Sequence, residues 1–114
     1  MRLVHQPEGT NLSGQCVIAM LLGVTLDRAV AIVGTSRFLR TKDVVHVLRS
    51  NECYVGDGRL VSSRGKLPAD CIVSARWPGG GRHWTLRWRG RIYDPAAEWA
   101  EGGSAASSYI DLTR

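Results

Sequence analysis

"HWTLRWRGRIYDP", residues 83 to 95, alternates apolar and polar side chains until it reaches an Arg-Gly pair. A period of two belongs to a strand, with Trp84, Leu86 and Trp88 on one face and His83, Thr85 and Arg87 on the other. Arg89 and Gly90 form a two-residue turn, so the chain doubles back and Trp88 faces Arg91. Thr85 then faces Asp94, and Asp94 becomes the diagonal cross-strand neighbour of His83. A slip of one residue would send the two to opposite faces. The apolar face is expected to be the core face unless the sheet is covered on both sides.

Working outward from this hairpin, the second half of the chain reads as strands. "GRLVSS" and "ADCIVSARW" precede it, and "YIDL" near the end of the chain is expected to add an edge strand. "PGGG", Pro78 to Gly81, is expected to be a mobile connection bordering a site, and "EGGSAASS" a flexible linker. The first half reads as three short helices. "SGQCVIAMLLG" has the pattern of a helix buried on most sides, with Gly23 as its stop. "TLDRAVAIVG" opens on Thr25 as N-cap and closes on Gly34, and "TKDVVHVLRS" opens on Thr41. The expected fold class is α+β, with N-terminal helices packed on a C-terminal antiparallel sheet in one domain spanning residues 1–114.

Fifteen Lys and Arg against ten Asp and Glu give a formal charge of +5, which favours acidic partners. The basic residues are dispersed rather than gathered in a block, so nucleic acid is a rival partner and not the leading one. Cys16, Cys53 and Cys71 cannot all pair, and no basic-then-apolar leader precedes them, which predicts a reduced protein in the cytoplasm. Their spacing from His5, His46 and His83 gives no zinc pattern, and no metal or other cofactor is expected. The longest apolar run, Cys16 to Leu22, is far below the ~18 residues of a membrane span.

The chemistry gathers around His83. A carboxylate beside an imidazole fixes its tautomer and stabilises the imidazolium, as a base serving a nucleophile requires. The nucleophile is expected at the start of the first helix, where the helix dipole and backbone N–H groups stabilise a thiolate and a developing oxyanion. "NLSGQC", Asn11 to Cys16, offers two candidates there. Gly14 after Ser13 would let a substrate backbone approach, whereas Cys16 lies one turn further in and reads as a small apolar filler. His5 is a rival base in principle, with no carboxylate expected beside it, and His46 reads as a surface or structural residue. Trp77, Trp84, Trp88 and Trp99 read as core and cleft-wall aromatics.

Taken in order, Gln6, Ser13-Gly14 running into Ala19-Met20, His83-Trp84 and Tyr93-Asp94-Pro95 resemble the papain-like cysteine peptidases, C39-like branch. The likeness runs from Gln6 to Pro95. It implies that Gln6 completes an oxyanion hole, that His83 is the general base and Asp94 its orienting partner, and that Ser13 occupies the place of the catalytic cysteine. Gly14 and Trp84 fall beside the substrate. The departure at Ser13 has three readings: a cysteine replaced to silence the enzyme, a native serine in a serine-dependent or lapsed site, or a nucleophile at Cys16 instead. The implied substrate is a peptide or protein. A toxin or effector delivered into a target cell would bring a cognate inhibitor or immunity protein as a further partner. The alternatives from other classes are an RNA-cleaving bacterial toxin on the same scaffold and a non-catalytic binding module that kept the cleft.

Overall fold

The computed structural model describes residues 1–60, 67–77, 80–96 and 105–112. Three helices open the chain: α1 (Ser13–Leu22), α2 (Leu26–Val33) and α3 (Thr41–Ser50). Five strands follow among the described residues: β1 (Val55–Leu60), β2 (Cys71–Arg76), β3 (Arg82–Trp88), β4 (Arg91–Tyr93) and β5 (Ala105–Leu112). They pair antiparallel throughout, in the order β1-β5-β2-β3-β4. The protein is therefore α+β, with its helices N-terminal to an antiparallel sheet.

Local chemistry sets the helix ends. Gly23 adopts a left-handed φ of 68° and donates its N–H to the Ala19 carbonyl, which stops α1. The Thr25 hydroxyl accepts from the Arg28 N–H at the start of α2, and Gly34, at φ 85°, ends it. Thr41 begins α3, and the N-cap is Arg40, whose backbone N–H donates to the Asp43 carboxylate at 3.0 Å. At the start of α1 the position of the cap falls to Leu12, which has no side-chain acceptor, and no acidic residue occupies the first turn. That helix terminus is left electrically open.

The hairpin has the expected register, with Trp88 opposite Arg91, Arg87 opposite Ile92 and Leu86 opposite Tyr93. Arg89 and Gly90 both have positive φ, 51° and 77°, as a turn matching the strand twist requires. Their N–H groups are held from outside the hairpin, by the Asp70 carboxylate at 2.6 Å and the Ala69 carbonyl at 2.9 Å. One face of the sheet presents Ile72, Trp84, Leu86 and Ile110 to Val17 and Ile18 of α1 and Leu48 of α3 in one apolar cluster. On the other face Val73, Ala75, His83 and Thr85 are also buried, so the sheet is covered on both sides.

The chain end differs from expectation. "YIDL" is part of β5, which is an interior strand between β1 and β2 and not an edge. Ile110 stands opposite Ile72 and is buried in the apolar cluster, so both backbone edges of this strand are needed to close the sheet. Ala105 to Ser108, expected as linker, already belong to the strand, while residues 101–104 of that linker lie outside the described residues. Residues 61–63 of the expected first strand, Pro78 and Gly79 of the glycine-rich connection, and Trp99 lie outside them as well. Among the described residues, no single helix is long and apolar enough to cross a membrane.

Candidate active site

Three hydrogen bonds, two of them between distant parts of the chain, bring the four principal residues together. The Nε2 of His83 lies 3.4 Å from Oδ2 of Asp94, the diagonal pairing that the hairpin register dictates. Ser13, the first residue of α1, accepts a hydrogen bond at Oγ from the backbone N–H of Trp84, next in sequence after His83, at 2.9 Å. Gln6 donates its backbone N–H to the carbonyl of Pro95, next after Asp94, at 2.7 Å. The N-terminal segment, the open end of α1 and the β3–β4 hairpin thus meet at one place. Ser13 is 2 % exposed, His83 3 % and Gln6 6 %.

The electrostatics follow from this enclosure. Burial alone would raise the carboxyl of Asp94, but the hydrogen bonds from His83 and the Ala96 N–H, with the His83 charge, outweigh it and hold Asp94 below its ordinary value. Whenever the ring is neutral, an ionised Asp94 accepting the proton of Nε2 places the lone pair on Nδ1. Nδ1 is buried and meets no hydrogen-bond partner among the described residues. The imidazole plane is set by Trp77, whose ring stacks on it at 4.1 Å with 12° between planes. The side-chain amide of Gln6 donates to the Thr10 carbonyl, which ties the segment before α1 into a compact turn.

Two of the expected site residues are engaged in packing. Gly14 is buried, and an added Cβ would come within 3.1 Å of the side chains of Leu39 and Trp84, so its bareness admits these neighbours. The Trp84 side chain is buried too, its indole N–H donating to the Leu39 carbonyl at 2.9 Å and its ring stacked on Phe38. Cys16 is wholly enclosed, and burial pushes its thiol up to about 12, which makes it a poor source of thiolate. Burial likewise raises Cys71 to about 11. All three cysteines are free thiols, and His5 and His46 are exposed.

Two contributions were not anticipated from the sequence: the stacking of Trp77, read there only as a core or cleft-wall aromatic, on His83, and the role of Gln15. Trp77 lies six residues before His83, and the turn at Gly80 and Gly81, closed by the Trp77 N–H on the Gly81 carbonyl, folds the indole back over the imidazole. Gln15 is wholly buried in α1 and donates both amide hydrogens, to the carbonyls of Thr35 and Arg37 at 3.0 and 2.9 Å. A glutamine in the first turn of a helix that is otherwise largely apolar is the available signal, because a buried amide must find partners. It clips the α2–α3 connection against the helix that carries Ser13. Compared with known proteins, the chain matches no family model and no curated protein.

Proposed function

We propose that the chain is a papain-like thiol hydrolase of the C39-like branch, cleaving a peptide or amide bond, with Ser13 at the nucleophile position in place of cysteine. The observation that carries it is the junction of an uncapped helix start at Ser13 with a buried His83, paired to the half-buried Asp94, whose second ring nitrogen is unpartnered among the described residues. A structural histidine is normally satisfied at both nitrogens, whereas a general base keeps a lone pair directed at the reacting group.

With a thiol at position 13, Nδ1 of His83 takes its proton, and the thiolate is stabilised by the Trp84 N–H and the end of α1. The sulfur attacks the substrate carbonyl carbon, and the oxyanion is held by the backbone N–H at position 13 and the side-chain amide of Gln6. The imidazolium protonates the leaving amine as the C–N bond breaks, leaving a thioester. Water, deprotonated by Nδ1, then attacks the thioester, and the acid product and the thiol are released. Asp94 keeps the ring oriented throughout. A serine hydroxyl is far less acidic than a thiol, and hydrolysis by Ser13 is expected to be slower by roughly a thousandfold or more.

The experiment is Ser13→Cys. The new thiol should be alkylated by iodoacetamide near neutral pH at least about tenfold faster than Cys53, and His83→Ala in that background should abolish the advantage. If the thiol introduced at position 13 reacts no faster than Cys53 and no hydrolysis appears, the proposal is wrong. The net charge of +5 favours a second reading, an RNA-cleaving toxin on this scaffold. Incubating the Ser13→Cys protein with transfer RNA and with a protein lysate separates them: cut RNA with intact protein selects the nuclease.

A further inference from the structure

Two adjoining hollows of about 300 Å³ each lie where β3 begins, between the loop before α3 and the strands β1 and β5. They share Thr41 and Arg82, so they form one groove. Trp84 ties it to the active site, since it is one of the residues around the groove and its backbone N–H holds the Oγ of Ser13.

The charge in this groove is one-sided. Arg40, Lys42, Arg59 and Arg82 line it, all exposed, and no carboxylate lines it among the described residues. Arg40 is in part neutralised by Asp43, 3.5 Å away, but Lys42, Arg59 and Arg82 have no carboxylate partner among the described residues. Three unneutralised cations converging on a concave surface attract a ligand carrying several negative charges. The rings at this surface are unsuited to stacking bases: Trp84 is 2 % exposed and is itself stacked on Phe38. A flexible acidic polypeptide fits better, because its carboxylates can reach Lys42, Arg59 and Arg82 with no ring to stack on.

We propose that this groove binds an acidic stretch of the polypeptide substrate, so that the protein acts on peptide bonds flanked by Asp or Glu residues. The assignment of substrate class rests on the hydrolase reading of Ser13, His83 and Asp94, while the binding of an acidic peptide does not.

The test titrates the full chain with poly-L-glutamate, with poly-L-glutamine as neutral control and a single-stranded oligonucleotide as competitor class, by calorimetry at low and physiological salt. Poly-L-glutamate should bind and poly-L-glutamine should not, and binding should weaken with salt. The double variant Arg59→Gln/Arg82→Gln should weaken it roughly fivefold, as expected for two exposed charge pairs, while Arg59→Lys/Arg82→Lys retains most of it. In the Ser13→Cys protein, saturating poly-L-glutamate should slow alkylation of the new thiol severalfold. Absence of binding, binding indifferent to the double glutamine variant, or preference for the oligonucleotide overturns the proposal. Alkylation unchanged by bound poly-L-glutamate overturns the link between groove and site. An introduced thiol that is unreactive even without poly-L-glutamate overturns the hydrolase reading alone, and the calorimetry still decides the groove.

Discussion

Ser13 and Cys16 lie one turn apart on α1, yet the fold assigns them opposite chemistry. Ser13 stands at the open helix end with an N–H donor on its oxygen, and Cys16 is sealed in the core with its thiol pushed up to about 12. In the native chain, mass-spectrometric mapping after brief iodoacetamide treatment should therefore find Cys16 and Cys71 unmodified near neutral pH, and both modified once the protein is unfolded. Asp94 has a second, measurable consequence. Its folded value lies below the ordinary 3.8, so it contributes stability that is complete above that pH and is lost as the pH falls through the lowered value. Melting temperatures followed from about pH 6 to pH 2 should fall on acidification, and Asp94→Asn should flatten the part of that slope below about pH 4; an unchanged slope would mean that the His83 pairing adds nothing to stability. At this scale the His83–Asp94 pairing was legible, because it follows from a strict alternation and a two-residue turn. The stacking of Trp77 was not, since the glycines that fold it back leave no periodic trace.

Among the elements, the packing of α3 on β1 is the tightest fit that a single substitution can probe. A Cβ on Gly58 would lie 2.6 Å from Cγ2 of Thr41, the first residue of α3. Gly58→Ala should cost about 1–3 kcal/mol by overpacking, and Thr41→Ser, which removes that methyl group, should recover most of the loss in the double variant. Denaturant midpoints of the four proteins check this, and additive losses would show that the clash is not the cause. The β3–β4 turn is a second case: Gly90 has a φ of 77°, and Gly90→Ala should cost about 1 kcal/mol while leaving the register intact. Helix ends were legible as far as Gly23, Thr25 and Gly34 carry them, because caps are local chemistry. Leu12 at the head of α1 breaks the capping rule, and the exception falls at the proposed nucleophile, where a capping side chain would compete for the N–H groups that an anion needs.

For the whole molecule, β5 is the strand on which the sheet depends, since it pairs with β1 on one side and β2 on the other. Ile110→Ala should cost about 2–5 kcal/mol, as for a large-to-small change in a packed core, and thermal unfolding should show the loss in one cooperative transition. Had "YIDL" been an edge strand, the cost would be a fraction of that. The amino-acid sequence by itself determined the helical first half, the stranded second half and the juxtaposition of His83 with Asp94, because periodicity, caps and tight turns act over a few residues. Only the tertiary structure decided that β5 inserts into the middle of the sheet, that Gln6 is pinned to Pro95, and that Ser13 reaches Trp84 across 71 positions of chain. Those pairings are selected by which buried surfaces and backbone groups still lack partners once the local elements have formed, and no pattern within a single segment encodes that.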